Sequence, residues 1–135
     1  MNNEKLNEIG RQYTAAWNSQ NPGNVAAFFA EGATLYVNGT AATGREAITG
    51  VARGFMTGFP DMKLLLDKLE IQPDQVVFHW TFIGTNSGPK GTGNAVHFSG
   101  YEEWTIGEDG LIVESLGHFD ADEYQHQLIN GVGSA

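Results

Sequence analysis

The chain has 135 residues and a net charge of −9, from 7 Lys and Arg against 16 Asp and Glu. Such an acidic chain repels phosphate backbones and anionic lipid surfaces, so we expect neither nucleic acid nor a membrane as a partner. The chain has no cysteine, which excludes disulfides, thiol catalysis and cysteine metal sites. We expect one cytoplasmic domain over 1–135, because the length suits a single core and the first residues lack the apolar stretch of a signal peptide.

The chain opens with two predicted helices. Apolar residues recur at helical spacing over 4–19, which is typical of an amphipathic helix with one face in the core. Asn21 and Pro22 then favour the start of a second helix, with Asn as the N-cap and Pro at the first helical position. We expect the short second helix to include Phe28 and Phe29.

A short strand and a third helix follow. Residues 33–37 predict the strand. Thr43 stands three positions before Glu46, the spacing of a capping box in which each side chain bonds the other's backbone N–H. The helix that this box opens includes Phe55 and ends before Pro60, which cannot continue a helix.

The rest of the chain is mostly strand. We predict strands over 63–71, 75–84, 98–106 and 111–120, a loop over 86–93, a last short helix over 121–129 and a flexible tail over 130–135. Three helices followed by long strands predict an α+β fold, in which a curved antiparallel sheet wraps around the helices.

Alternation along the last two strands brings carboxylates and a histidine together. Side chains of a strand point to opposite faces in turn. Glu102 shares a face with Trp104, so we expect it to point into the core, whereas a shift of one residue would put Glu103 there instead. On the return strand, the same alternation groups His118 with Asp120. We therefore expect these two and Glu102 to line one concave surface.

Short segments along nearly the whole chain are similar to a known family. The early ones are Ala15–Asn18, Val25–Ala30 and Ala33–Tyr36, which resemble the opening of the nuclear-transport-factor-2-like superfamily. The later ones are Thr43–Ile48, Phe59–Asp61, Gly84–Gly88, Asp109–Glu114, Asp120 and Gln127–Leu128, which are similar to its SnoaL-like polyketide cyclase (ester cyclase) branch. The resemblance implies a cystatin-like cone, in which a strongly curved mixed sheet wraps around about three N-terminal helices. It also implies a deep apolar pocket and a homodimer.

The resemblance also implies roles for particular residues. Tyr13 and Glu102 fall where the ketosteroid isomerase branch keeps an oxyanion-hole tyrosine and a carboxylic acid held neutral by an apolar site. The base of that isomerase should sit near Val37 or Asn38, and neither residue can abstract a proton from carbon. Asp120 matches the acid/base aspartate of the cyclase branch, and His118 is the nearest inward histidine.

These roles predict a cofactor-independent cyclase- or isomerase-type enzyme that acts on a small apolar carbonyl compound. Asp120 would be the base, assisted by His118, and neutral Glu102 and the Tyr13 hydroxyl would donate to the carbonyl oxygen. No metal site is expected. The apolar wall of the pocket would consist of Trp17, Phe28, Phe55, Trp80 and Trp104.

Structural roles for the same residues remain open. Asp120 could cap a helix that starts at Ala121, and His118 could be a hydrogen-bonded core histidine. Tyr13 lies on the apolar stripe of the first helix, and the aromatic residues fit an ordinary core. The alternative function is therefore a domain of the same fold that binds a small molecule or another protein without catalysis.

Overall fold

The computed structural model describes residues 1–132, which form four helices and six strands. In chain order these are α1 (Asn3–Asn18), α2 (Pro22–Ala26), β1 (Phe29–Val37), β2 (Thr40–Thr43), α3 (Arg45–Gly58), β3 (Lys63–Ile71), β4 (Val76–Thr85), β5 (Ala95–Ile106), β6 (Ile112–Phe119) and α4 (Ala121–Asn130). The predicted flexible tail begins at Asn130, the last residue of α4, and its residues 133–135 lie outside the described ones.

The six strands form one open sheet in the order β2-β1-β6-β5-β4-β3. The pair β1–β6 is parallel and all other neighbours are antiparallel, so the sheet is mixed. Irregularities interrupt three of the strand pairs, and such bulges bend a sheet and increase its twist. The curved sheet packs against the helices, which confirms the predicted α+β cone.

The first two helices begin as predicted, but the second ends early. Asn21 caps α2 through its side chain, which accepts from Gly23 N at 3.1 Å. The helix stops at Ala26, so the expectation that it includes Phe28 and Phe29 is wrong. Phe29 is instead the first residue of β1, where it pairs with Ile112 of β6. Pairing with a distant strand overrides the local helical pattern there.

The predicted capping box of the third helix does not form. The N-cap of α3 is Gly44, at φ 90°, and no side chain bonds the free N–H groups. A positive φ of this size suits glycine because it has no Cβ. Thr43 belongs to β2 instead, and its hydroxyl lies 3.0 Å from that of Thr34 across the β1–β2 pair. The helix ends at Gly58, before Pro60, as expected.

The tight turn between β1 and β2 is tied to the end of β6. Asn38 and Gly39 have φ values of 49° and 87°, as a two-residue hairpin turn requires. Asn38 N donates to the Gly117 carbonyl at 2.9 Å, and Phe119 N donates to Asn38 Oδ1 at 2.9 Å. These bonds hold the turn beside the strand that carries part of the candidate site.

A bulge in β6 reverses the predicted faces of that strand. Thr105 pairs with Glu114 but Ile106 pairs with Ile112, so Val113 is an extra residue on the β6 side. Alternation counted from Ile112 is therefore off by one for the rest of the strand. Ile112 is buried in the core before the bulge, and the inward residues after it are Ser115, Gly117 and Phe119.

No helix within residues 1–132 is both long and apolar enough to cross a membrane.

Candidate functional site

An apolar cavity lies between the helices and the inner face of the sheet. Its volume is about 60 Å³. Trp17 of α1, Phe55 of α3 and Trp80 of β4 line it, as the sequence predicts. Glu102 of β5 also lines it, and is the only carboxyl among the residues of 1–132 that do so. The cavity therefore combines an apolar wall with one acid.

The carboxyl of Glu102 accepts three hydrogen bonds from buried donors. Ser115 Oγ donates to its Oε1 at 2.7 Å, and Trp104 Nε1 donates to the same atom at 3.1 Å. The Tyr13 hydroxyl lies 3.0 Å from Oε1 and 3.2 Å from Oε2. Glu102 is 7% exposed, and all three donors are buried. We call these four residues the Glu102 cluster.

Strand pairing and aromatic packing hold the cluster in place. Trp104 of β5 pairs directly with Ser115 of β6, so both side chains point inward beside Glu102. The Trp104 ring stacks on Phe78 at 4.9 Å between centroids, and the Tyr13 ring meets its face edge-on at 5.0 Å. Such contacts fix ring orientations, and with them the directions of the O–H and N–H groups.

Burial and hydrogen bonding act in opposite directions on Glu102. Burial raises the pKa of the Glu102 carboxyl above its usual value, and the bonds from Ser115, Trp104 and Tyr13 offset only part of that rise. Burial also raises the pKa of the Tyr13 hydroxyl well above its usual value, and the neighbouring Glu102 charge adds to this. Tyr13 therefore keeps its proton and serves as a donor.

The two oxygens of Glu102 differ in their surroundings. Oε1 accepts from all three donors, whereas Oε2 is within reach of the Tyr13 hydroxyl alone. In the neutral acid the proton therefore belongs on Oε2, where it can be donated. Opposite Glu102 in the β5–β6 pair stands Gly117, which has no side chain and also lines the cavity. A Cβ at Gly117 would lie 2.8 Å from the Tyr36 carbonyl oxygen, so glycine here permits the close approach of β1 beside the carboxyl.

Glu102 lies inward, as the sequence predicts, and Glu103 lies on the outer face of the sheet. The predicted position of His118 beside Glu102 is wrong, because the bulge in β6 turns this histidine outward. His118 pairs with Tyr101, and its Nε2 lies 2.8 Å from Glu103 Oε1.

Asp120 is exposed and does not line the cavity. Its side chain accepts from Glu123 N at 3.0 Å and caps α4. The structure thus shows the capping role that the sequence left open beside the role of a base.

The structure divides the predicted aromatic wall. Trp104 is completely buried and contributes its N–H to the Glu102 cluster rather than a cavity surface. Phe28 does not line the cavity and packs edge-on against Tyr13 at 5.7 Å. Tyr13 itself does not line the cavity, and its hydroxyl is directed to Glu102. The expectation that Phe28 and Trp104 form the cavity wall is therefore wrong.

Two residues of the site escaped the sequence analysis. Ser115 and Gly117 reach the inner face only because of the bulge at Val113, which no periodic pattern reveals. A buried serine between Glu114 and Leu116 has no distinctive spacing that could have identified it.

No group of three or more His, Cys, Asp or Glu within residues 1–132 is placed to hold a metal ion.

Comparison with known proteins gives a consistent family signal. A family model described as a SnoaL-like domain matches residues 10–115 of this chain. No curated protein matches the chain by sequence.

Several solved structures share the fold at low sequence identity. A candidate SnoaL-like polyketide cyclase from Jannaschia sp. CCS1 is 17% identical, covers 93% of this chain and 91% of its own, and gives a TM-score of 0.81. A hypothetical protein from Catenulispora acidiphila DSM 44928 with a ketosteroid isomerase-like fold, in complex with trimethylamine, is 20% identical, with coverages of 89% and 91% and a TM-score of 0.77. The epoxide hydrolase/cyclase-like enzyme SalBIII, described as having a role in pyran ring formation in the polyether salinomycin, is 18% identical. It covers 89% of this chain and 94% of its own, with a TM-score of 0.77.

Proposed function

Because this chain belongs to the family of SnoaL-like domains, we propose that it is a cofactor-independent cyclase- or isomerase-type enzyme for a small apolar carbonyl compound. The observation that carries the proposal is the buried carboxyl of Glu102 on the wall of an apolar cavity. Proteins of the same fold that are described as a cyclase-like enzyme and as a complex with a small amine support a ligand-binding cavity here.

Glu102 acts as a general acid in this proposal. The ligand's carbonyl oxygen accepts a hydrogen bond from the protonated Oε2 of Glu102, and this bond strengthens as a water molecule removes the α-proton and negative charge develops on that oxygen. A raised pKa supports this role, since the acid then holds its proton closer to neutral pH. Burial of the site also strengthens the interaction, because little water is present to compete.

The other members of the Glu102 cluster are positioning residues. Tyr13, Trp104 and Ser115 saturate Oε1 and fix the plane of the carboxyl, so the proton stays on the oxygen that faces a ligand. This division of labour replaces the predicted pair in which Glu102 and Tyr13 both donate to the substrate.

A second candidate is binding without turnover. It is favoured by the lining, which offers no second carboxyl and no imidazole within residues 1–132 to remove a proton from carbon. The cavity is also small, with a volume of about 60 Å³. A ring-sized ligand would meet the half-buried rings of Phe55 and Phe119, which also line the cavity.

Solvent deuterium exchange tests the proposal without knowledge of the natural substrate. Enolisation replaces the α-hydrogens of a ketone by deuterium in D₂O, and mass spectrometry counts them. We expect the wild type to accelerate this exchange in cyclohexanone, and Glu102→Gln to lose the acceleration while still binding the ketone. The matched control is Glu103→Gln, which makes the same change one residue away on the outer face and should exchange like the wild type.

Each other outcome points to a different function. Binding without any exchange would support the second candidate. Unchanged exchange in Glu102→Gln would remove Glu102 from the mechanism. Loss of exchange in Asp120→Asn, with stability unchanged, would return the role of base to Asp120.

The resemblance implies a homodimer, and we also propose that the outer face of the sheet forms its interface. Tyr101 is 39% exposed there, between the rings of His79 and His118 at 5.9 and 4.7 Å. Light scattering over a tenfold range of protein concentration, on the wild type and Tyr101→Lys, tests this. A mass of one chain at all concentrations would contradict it.

A further inference from the structure

One polar group of a cavity-lining residue has no hydrogen-bond partner. Trp17 lines the cavity and is 9% exposed, and its indole Nε1 is buried without a hydrogen-bond acceptor among the described residues. Buried N–H groups are nearly always paired in folded proteins, because an unpaired donor has lost its water and gained nothing in return. A donor left free beside a cavity is therefore one that a ligand can satisfy.

Trp17 lies close to Glu102, which limits the kinds of ligand that its N–H could bind. Trp17 follows Tyr13 by one helical turn on α1, so both side chains project from the same face. Their rings lie 6.5 Å apart, nearly perpendicular. Tyr13 in turn reaches the acid through its hydroxyl. The same hydroxyl lies 3.0 Å from Glu102. The free donor and the acid therefore belong to one corner of the cavity.

The hydroxyl of Tyr13 cannot provide the second donor to a ligand. It is completely buried, does not line the cavity and already donates to Glu102. We infer that the indole N–H of Trp17 takes this place, and that a ligand's carbonyl oxygen accepts from Trp17 and Glu102 together. The inference rests on the proposed function, since it needs an oxygen-bearing ligand in this cavity, and it adds a residue that selects for that oxygen.

Two probe molecules separate the hydrogen bond from the packing of the ring. Cyclohexanone and methylenecyclohexane have the same ring and nearly the same shape, but only the ketone has an acceptor. The chain has three tryptophans, so a ¹H–¹⁵N spectrum of the wild type should show three indole signals, which Trp17→Phe and Trp80→Phe assign. We expect cyclohexanone to move the Trp17 indole proton downfield, and methylenecyclohexane to leave it nearly in place.

Affinities measured by the same titrations give a second readout. The change Trp17→Phe keeps an aromatic wall and removes the donor, so it should weaken cyclohexanone binding about 2- to 12-fold, the range of one hydrogen bond. Binding of methylenecyclohexane should change much less. The matched control is Trp80→Phe, which makes the same substitution on the same cavity and should alter both probes by similar factors.

The outcomes separate this inference from the proposed function. If cyclohexanone moves the Trp104 indole signal in the Glu102 cluster but leaves that of Trp17 unchanged, the cavity binds carbonyl compounds and the role of Trp17 is refuted. If both probes move the Trp17 signal equally, ring packing rather than a hydrogen bond is responsible, and the role is again refuted. If cyclohexanone moves no cavity signal, the proposed function and the inference fall together.

Discussion

Removal of the Ser115 hydroxyl should destabilise the protein by an amount that grows with pH. Ser115 is completely buried, and its Oγ donates to Glu102 Oε1 at 2.7 Å, the shortest bond of the Glu102 cluster. Of the hydrogen bonds to Glu102, it is the one that lowers the pKa of the carboxyl most. The change Ser115→Ala deletes one oxygen atom and little else, so it isolates this bond.

The magnitude depends on the charge of Glu102. A hydrogen bond to a charged group contributes about 1.5–3 kcal/mol, and one between neutral groups about 0.5–1.5 kcal/mol. Because the folded-state pKa of Glu102 is raised above its usual value of 4.5, the folded state binds this proton more tightly than the unfolded state. The stability that follows is complete below pH 4.5 and is lost as pH rises through the folded-state pKa. Without Ser115 the folded-state pKa of Glu102 rises further, so the protein loses more stability at high pH.

Urea unfolding followed by tryptophan fluorescence, from pH 5 to pH 9, measures the effect. We expect the cost of Ser115→Ala to be about 1 kcal/mol at the acidic end and about 2 kcal/mol or more at the alkaline end. In a Glu102→Gln background, which has no charge to lose, the cost should not vary with pH. A cost that is constant in the wild-type background would refute the reasoning, because Glu102 would then not titrate in contact with Ser115.

Substitutions at three positions test other parts of the structure. Glu102→Gln should fold and Glu102→Lys should not, since a buried ammonium would have no anionic partner among Tyr13, Trp104 and Ser115; equal melting temperatures would mean that this side chain is solvated. Asp120→Ala should cost about 0.5–2 kcal/mol and Asp120→Asn much less, because asparagine also caps helices; thermal unfolding that ranks them equal would contradict the cap. At Gly100, a Cβ would overlap the His118 carbonyl oxygen and the Trp80 ring. Gly100→Ala should therefore cost about 1–3 kcal/mol in urea unfolding, and a neutral result would place this strand differently.

The sequence was a good guide wherever local pattern and tertiary structure agree. Alternation along β5 identified Glu102 as inward because Trp104, two residues on, is completely buried on the same face. Proline marked the start of α2 and the end of α3 because its ring fixes its own φ and removes its own N–H, whatever the distant parts of the chain do. The failures lie where a distant partner decides. Phe29 continues into a strand because Ile112 pairs with it.

The candidate site could be predicted only in part for the same reason. One extra residue at Val113 reversed the faces of β6, and this removed His118 from the site and brought Ser115 into it. A bulge carries no periodic signal, so counting from Ile112 could not detect it. The unpaired N–H of Trp17 was also invisible in the sequence, where this residue fits any amphipathic helix equally well. Only the folded structure shows whether a hydrogen-bond donor has an acceptor.

The single parallel pair of the sheet has a consequence for how the chain folds and opens. Strands β3 to β6 are antiparallel neighbours in both sequence and space, so each can add to the one before at a small cost in loop closure. By contrast, β1 pairs with β6 across most of the chain: Leu35 meets Ser115, roughly 80 positions later. Such non-local pairing slows folding, and we expect the β1–β2 hairpin to dock late.

The same hairpin should open before the rest of the sheet. Leu35 and Val37 of β1 line the cavity, so the cavity is complete only while the hairpin is docked. Opening frees the amides of β1 to exchange with solvent, and a ligand that binds only the closed form must slow that exchange in proportion to its occupancy. Binding of the proposed ligand would thus be coupled to docking of the β1–β2 hairpin.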